Sequence, residues 1–331
     1  MQTLLVTLQP QTALATLPYG DTLLGQLCWA LRNRHGDDWL RQRLEGYTSD
    51  RPFLVVSDLL PAGYWPRPHL PANMLAGDSR SQDRKADKKK IWLPRDGWQQ
   101  PLQQWLQACK TEKEVWPEFE QNGKRVRHGR ITESQPHNAI NRITGTTGEE
   151  GFAPYAVEQI WFPPGAQLEL WLLHDPQRLP QPLLEQALED IGSVGFGKDA
   201  SIGLGKFGLI KVDSQQRLPM QPNSNSWLTL GPCAPQGGGF NPQRSYYQLF
   251  TRFGRHGDVA ALTGQPFKSP VLLVQAGAVL TPQQQPLWSG QNWVGQGLGG
   301  DGSISRGKPE TVQQGYCPVV GIDIGGELSN D

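Results

Sequence analysis

The sequence has little cysteine and no pattern of metal ligands. Its four cysteines, Cys28, Cys109, Cys233 and Cys317, lie far apart and form no CxxC pair, which argues against a zinc site and predicts reduced thiols. The six histidines form neither HxxH nor HExxH. We therefore predict no metal site and no cofactor.

Long apolar runs are also lacking. No stretch of about 18 apolar residues occurs that could cross a membrane. The opening segment, MQTLLVTLQP, has neither a basic stretch nor a long apolar core, so no signal peptide is expected. We predict a cytoplasmic protein without a membrane partner.

Neither sign of charge dominates, because 31 Lys and Arg residues balance 31 Asp and Glu residues. A nucleic-acid-binding surface would therefore have to be local. Lys and Arg outnumber acids in residues 80–130, and the polar stretch 76–90 predicts a solvated loop. Twelve tryptophans against a hydrophobic fraction of 37% lead us to expect that the Trp-rich segments 91–105 and 288–293 face partners.

Glycine and proline are abundant, with 38 and 28 residues, which predicts many turns rather than a helical bundle. Apolar periodicity predicts strand, helix, strand, long insertion, strand, helix and strand. These segments are residues 3–8, 20–31, 53–60, 61–160, 167–173, 183–192 and 207–212. The order predicts an α+β fold with a ferredoxin-like βαββαβ unit that carries an insertion. Asp21 or Thr22 is expected to cap the first helix.

The predicted domain organisation has two parts. Residues 1–213 form the first domain, with the insertion around residues 61–160, and the polar residues 214–225 form a linker. Residues 226–331 form a smaller, mostly β domain. Its strand candidates are residues 227–230, 246–252, 271–275 and 312–324.

A glycine-rich stretch, VGFGKDASIGLGKF (residues 194–207), is the first candidate site. Dense glycine leaves backbone N–H groups uncovered and permits positive φ, so such a loop can wrap an anion closely, and lysines add charge for phosphate. The loop leads from a helix into a strand, whereas Walker A and Rossmann loops open a helix. A glycine-rich turn with solvated lysines is the alternative. The candidate contacts are Gly195, Gly197, Lys198, Ser201, Gly203, Gly205 and Lys206.

A second candidate site is the polar stretch PHNAINRITGTT (residues 136–147), which has donors for phosphate, ribose and base edges. The alternative is a polar loop held by Asn and Thr turn bonds. Its candidate residues are His137, Asn138, Asn141, Arg142, Thr144 and Thr146. His137 beside Arg142 is the best candidate for acid–base chemistry, although a lone histidine in a polar loop is more often a hydrogen-bonding residue.

Several motifs together resemble the RAMP superfamily of CRISPR–Cas proteins. They are HNAINRITGTT (137–147), GFAPYAVEQIWF (151–162) and VGFGKDASIGLGKF (194–207). The resemblance is greatest to the group that binds the 5′ handle of CRISPR RNA (crRNA), and in it to the fourth subunit of Csm-type (type III-A) complexes. GDTLLGQLCWAL, SDLLPAGYWPRP, YYQLFTRFGRHGD, FKSPVLLVQAGAVL and VQQGYCPVVGI extend the resemblance over nearly the whole chain.

This resemblance implies two ferredoxin-like (RRM-like) domains and binding of the repeat-derived 5′ handle. It also implies contacts with the large polymerase/cyclase-like subunit and the first backbone RAMP subunit, with one copy per complex and no nuclease activity. Two alternatives remain open. One is a metal-independent endoribonuclease of the crRNA-processing RAMP type that uses His137, and the other is a phosphate- or nucleotide-binding enzyme that uses residues 194–207.

Overall fold

The computed structural model describes residues 1–77, 83–148, 152–257, 266–284 and 292–326. The elements before residue 214 are β1 (Gln2–Pro10), α1 (Gly20–His35), α2 (Asp37–Leu44), β2 (Leu54–Val56), β3 (Leu60–Pro61), β4 (Tyr64–Pro66), α3 (Ala72–Ala76), α4 (Arg84–Lys89), β5 (Lys90–Pro94), α5 (Trp105–Ala108), β6 (Lys110–Thr111), β7 (Phe119–Gln121), β8 (Lys124–Val126), β9 (Ile131–His137), β10 (Tyr155–Trp161), β11 (Leu168–His174), α6 (Gln181–Val194) and β12 (Phe207–Asp213). Short 3₁₀ turns occupy Arg95–Gln99, Leu102–Gln104 and Ala200–Ile202. The later strands are β13 (Ser226–Thr229), β14 (Leu249–Arg252), β15 (Val271–Val274), β16 (Val279–Leu280), β17 (Trp293–Gly299) and β18 (Val312–Ile322).

The main sheet has the strand order β12-β1-β11-β2, and all of its neighbouring strands are antiparallel. With α1 and α6 as the two connecting helices, this is the βαββαβ order that the sequence predicts. Alternate residues of β1 enter two different cores, because successive side chains of a strand point to opposite faces. Leu4 and Val6 pack with the α1 and α6 leucines, whereas Leu5 packs with the insertion and the second half of the chain.

Helix α1 forms because leucines recur at spacings of three and four residues and cover one face. Leu23, Leu24, Leu27 and Leu31 are all buried. The expectation that Asp21 or Thr22 caps this helix is wrong. The helix begins at Gly20, whose N–H donates to Asp58 Oδ1 at 2.8 Å, so the cap comes from the chain after β2.

The tryptophans of the insertion pack in a core that the insertion shares with the main sheet and the second half of the chain. Trp65, Trp98 and Trp105 are buried together, beside the three-stranded sheet β4-β5-β6. The expectation that residues 91–105 present tryptophans to partners is therefore wrong for Trp98 and Trp105. Trp288 lies outside the described residues.

The predicted solvated loop 76–90 is described only in part, because residues 78–82 lie outside the described residues. In its second half the structure forms helix α4 over Arg84–Lys89.

The second half of the described chain is built from strands, and none of its described residues lies in a helix. Strands at all four predicted places are present, and β16 and β17 are additions to them. The sheet β16-β13-β18-β17 shares a core with the insertion, because Leu228 and Val320 pack in the same cluster as Trp65. The two-stranded ribbon β14-β15 lies beside α1.

Side chains of the long strand β18 join the two halves. The Gln314 amide accepts the N–H of Val56 at 2.9 Å and donates to its carbonyl at 2.8 Å, as a neighbouring strand would. Tyr316 donates from its hydroxyl to Tyr47 O at 2.7 Å. In the predicted linker, Gln221 N–H donates to Gly321 O at 3.0 Å, so this segment also contacts β18.

Candidate nucleic-acid interface

The glycine-rich loop lies between α6 and β12, as predicted, and it folds against the chain that follows β1. Gly205 N–H donates to Ala13 O at 2.7 Å. The N–H groups of Lys198 and Lys206 donate to the hydroxyls of Thr16 and Thr12, both at 2.9 Å. These two N–H groups are therefore bonded within the protein, and the charge that the loop offers to an anion comes from its side chains.

Three of the four loop glycines are required by the packing of the loop itself. All have positive φ, between 77° and 121°. A Cβ at Gly195 would overlap Leu204 O, one at Gly205 would overlap Phe196 O, and one at Gly197 would lie 2.6 Å from Thr16 Cβ. Gly203 differs, because a Cβ there would meet no atom within 4 Å. Gly203 is thus the loop glycine whose surface is open to a ligand.

The cationic and hydroxyl side chains of the loop reach solvent. Lys198 and Ser201 are exposed and Lys206 is half-buried. Together with Gly203 they form an accessible surface that a phosphate can approach.

The polar stretch forms the end of a β-hairpin. Strands β9 and β10 pair in antiparallel register, with His137 opposite Tyr155 and their rings stacked at 5.3 Å between centroids. Most candidate side chains at this end face solvent. Asn138, Arg142, Thr144 and Thr146 are exposed, while His137 and Asn141 are half-buried.

Asn141 holds the end of the hairpin in shape. Its N–H donates to Thr146 O at 3.0 Å, its carbonyl accepts from Gly145 N–H at 2.8 Å, and its Oδ1 accepts from Ile143 N–H at 2.9 Å. These are the turn bonds of the alternative reading. The hydroxyls of Thr144 and Thr146 also bond to each other at 2.8 Å, so Asn138 and Arg142 are the exposed candidates whose side chains are not engaged in the turn.

The two candidate sites adjoin the same segment but do not form one pocket. Leu14 exchanges two backbone hydrogen bonds with Ile160 of β10, at 3.0 and 2.8 Å, and its neighbour Ala13 binds the glycine loop. Tyr155, opposite His137, lies five residues along β10 from Ile160, or about 17 Å at the rise of a strand. A compact ligand could not touch both sites, whereas an extended polymer could.

Thr12 and Thr16 are the residues that sequence reasoning missed. Both hydroxyls fix the glycine loop, although they are more than 180 residues away from it in the chain. The available signal was the threonine-containing segment QTALAT (residues 11–16), which directly follows a strand that ends in proline.

Two further features of the described residues bear on function. No group of three His, Cys, Asp or Glu side chains among them could hold a metal ion. None of the helices in the described part of the chain is long and apolar enough to cross a membrane.

Comparison with protein families identifies the chain. The family described as the RAMP superfamily matches residues 19–208, which is more than half of the sequence. The chain belongs to the RAMP superfamily. The matched range includes both candidate sites of this RAMP protein. A sequence search of curated proteins gives no match.

Solved structures share the fold over almost the whole RAMP chain. A chain of the Csm3–Csm4 subcomplex in the type III-A CRISPR–Cas interference complex matches with a TM-score of 0.55 and 13% identity, over 98% of this chain and 100% of that one. A chain of the Csm1–Csm4 cassette with cA3 matches with a TM-score of 0.54 and 12% identity, over 99% and 100%. A chain of the Csm1–Csm4 cassette with AMPPNP matches with a TM-score of 0.52 and 14% identity, again over 99% of this chain and 100% of that one. At these identities the likeness establishes the fold.

Proposed function

We propose that this RAMP protein is a non-catalytic, RNA-binding subunit of a type III CRISPR–Cas effector complex. In this role it caps the crRNA by holding its 5′ repeat-derived handle. The observation that carries the proposal is the likeness over 98–99% of the chain to chains from Csm3–Csm4 and Csm1–Csm4 complexes, in which Csm4 is the common subunit. Family membership supports it independently.

The two candidate sites suit an extended RNA strand. Lys198 and Ser201 beside Gly203 would hold phosphates at one end, and Asn138 and Arg142 would meet bases or phosphates at the other. A single strand can span the separation, and exposed polar side chains can reach its unstacked bases. In a chain of zero net charge these contacts form a local nucleic-acid surface.

The proposed protein partners are the large polymerase/cyclase-like subunit and a backbone RAMP subunit, which this chain would link. The outer face of the ribbon β14-β15 and its flanks is suited to such a contact. Leu249, Phe253, Phe267 and Leu272 are 54%, 74%, 70% and 47% exposed. Exposed aromatic side chains of this kind are typical of protein interfaces. One copy per complex and a cytoplasmic location belong to the same proposal.

The proposal includes the domain division predicted from the sequence. Residues 1–213 would form one ferredoxin-like domain with its insertion, and residues 226–331 a second, smaller one after the linker 214–225. Two separate sheets, β12-β1-β11-β2 and β16-β13-β18-β17, support a division at this position.

The alternative function is that of a metal-independent endoribonuclease. The observation that favours it is His137 Nε2, which is buried and has no hydrogen-bond partner among the described residues. The stacking of His137 on Tyr155 equally suits a residue that contacts an RNA base.

RNA binding without divalent metal separates the two functions. We expect the purified protein to bind repeat-derived RNA that carries the 5′ handle more tightly than the same RNA without it, and to cleave neither. Site-specific cleavage that His137→Ala abolishes would establish the endoribonuclease instead. Equal affinity for both RNAs would contradict handle recognition, and tight binding of free nucleotide would favour a nucleotide-binding enzyme.

A further inference from the structure

Helix α4 concentrates positive charge outside the two candidate sites. The sequence RKADKKK, residues 84–90, contains five cations and one acid in a chain of zero net charge. Arg84, Lys85, Lys88 and Lys89 are exposed, and none of the four has an ion-pair partner in the part of the chain that the structure describes. We call these four residues the basic helix face.

This helix is held in place by contacts that leave its four cations free to solvent. The Arg67 guanidinium donates to Asp87 O at 2.8 Å. Lys90 Nζ lies 3.4 Å from the Asp87 carboxylate and donates to Leu106 O at 3.3 Å. Asp83 Oδ1 accepts the N–H groups of Lys85 and Ala86. The single acid inside the helix is therefore engaged with Lys90.

The spacing of the cations opposes helix formation. Arg84 and Lys88 are four residues apart, as are Lys85 and Lys89, and like charges at this spacing destabilise a helix. A six-residue helix has little stability of its own. An anionic partner bound to this surface would neutralise these repulsions, which accounts for the presence of four cations on so short a helix.

More positive charge surrounds the helix on the insertion. Arg67, Lys90 and Lys110 all lie within electrostatic range of the Cys109 thiol, beside the short strands β5 and β6. Two nearby acids are engaged within the protein: Glu114 accepts from the N–H and hydroxyl of Thr111, and Glu112 accepts from the indole N–H of Trp92. Residues 83–114 contain eight Lys and Arg residues against five Asp and Glu residues, so cations outnumber acids in the chain around α4.

We propose that the basic helix face is a second RNA contact, which binds the phosphate backbone without reading sequence. The choice of RNA as the polyanion rests on the proposed function. Residues four apart on a helix lie about 6 Å apart along its axis, which is close to the distance between successive phosphates of an extended strand. The helix lacks the large apolar side chains with which an interfacial helix enters a lipid surface, so the observations favour RNA over a membrane.

The basic helix face is separate from the candidate sites already described. Helix α4 leads directly into β5 of the sheet β4-β5-β6, whose core packs on the face of the main sheet opposite to α1 and α6. RNA held at the glycine loop would therefore reach α4 only with a portion that extends beyond that site.

The test removes the four charges and keeps the helix. The variant Arg84→Gln/Lys85→Gln/Lys88→Gln/Lys89→Gln retains helix propensity, because glutamine is close to lysine and arginine in this respect. We expect weaker binding of labelled single-stranded RNA, and a slope of log affinity against log salt that is smaller by about 2 to 3, as four phosphate contacts predict. Binding is measured with the full chain, and thermal melts check that it folds.

Two further variants serve as controls. Exchanging Arg84 for Lys and the three lysines for Arg should keep RNA affinity. Removing four exposed cations elsewhere, by Gln at Arg41, Arg51, Arg217 and Arg306, changes the net charge equally and should leave the salt slope near that of the unmodified chain.

The experiment uses RNA with and without the 5′ handle, so that it separates the two proposals. Removing the charges of the basic helix face should weaken binding of both RNAs by the same factor, whatever the result for handle recognition. An unchanged salt slope in the charge-removed variant would overturn the proposal, as would an equal loss in the control with four distant cations removed. The proposal would also be overturned if the unmodified chain binds anionic lipid vesicles, the charge-removed variant does not, and both bind RNA with the same affinity.

Discussion

Arg252 forms a buried ion pair with Asp21: its Nη2 donates to Asp21 Oδ1 at 3.1 Å, and its Nε lies 2.8 Å from Asp21 Oδ2 without the alignment of a hydrogen bond. The pair joins β14 in the second half of the chain to the first turn of α1. Both side chains are well buried, with 2% of Asp21 and 15% of Arg252 exposed. Gln313 of β18 also donates to this carboxylate, at 3.3 Å. Breaking the pair would leave a buried charge at the junction of the two halves.

Arg252→Met should therefore lower the free energy of unfolding by about 3 kcal/mol. Burial already raises the pKa of Asp21, and loss of the guanidinium raises it further. The folded variant would then keep a proton that the unfolded chain releases, so the loss should be greater at pH 8 than at pH 5. Urea unfolding at both pH values measures this loss of stability. Arg41→Met, which removes an exposed pair with Asp38, should have little effect, and an equal loss there would contradict the prediction.

A second buried acid, Asp58, should make stability fall as pH rises. Burial raises the pKa of Asp58 to about 8, although the N–H of Gly20 lowers it. Between about pH 4 and pH 8 the folded chain therefore holds a proton that the unfolded chain has lost, which favours unfolding as pH increases. Asp58→Asn keeps an acceptor for Gly20 and should become progressively more stable than the unmodified chain over this range. Parallel pH–stability curves for the two proteins would refute the shift.

Local sequence patterns predicted the elements of the main sheet but not their tertiary partners. The leucine spacing of α1 and the apolar run of β1 each depend on neighbouring residues, so a single sequence reveals them. The cap of α1 comes from Asp58 and the support of the glycine loop from Thr12 and Thr16, which are distant in sequence. Nothing in the local pattern distinguishes these residues from other polar residues.

The insertion shows why composition alone misplaced the tryptophans. A low overall hydrophobic fraction suggested that Trp98 and Trp105 would be exposed. They instead pack with Trp65 between the short strands of the insertion, the main sheet and the second half of the chain. A few large aromatic side chains can build a small core, since each buries a large apolar area.

Glu112 should be the residue that holds the base of the hairpin β9-β10 to the rest of the insertion. Its carboxylate accepts from the indole N–H groups of Trp92 and Trp116, at 2.8 and 3.0 Å, and from Arg130 Nη2 at 3.0 Å, immediately before β9. Glu112→Ala leaves these donors without their acceptor and should cost about 2 kcal/mol. It should also speed cleavage by trypsin after Arg130.

The matched control for this prediction is Glu118→Ala. Glu118 pairs with Arg127 at 3.4 Å, and both side chains are more than a third exposed, so its removal should change stability little. Equal stability and equal cleavage rates in the two variants would show that Glu112 does not anchor the hairpin.

The glycine loop should respond differently to loss of charge and loss of conformation. Lys198→Ala removes an exposed cation, so it should weaken RNA binding and reduce the salt slope by about one phosphate contact, with an unchanged Tm. Gly205→Ala should lower the Tm, because its Cβ would overlap Phe196 O at a φ of 77°. Gly203→Ala has open space around it and should cost only the strain of positive φ, about 1 kcal/mol. RNA titrations at several salt concentrations, run beside thermal melts, separate these effects. If Lys198→Ala leaves RNA affinity unchanged, this loop is a structural turn rather than a phosphate contact.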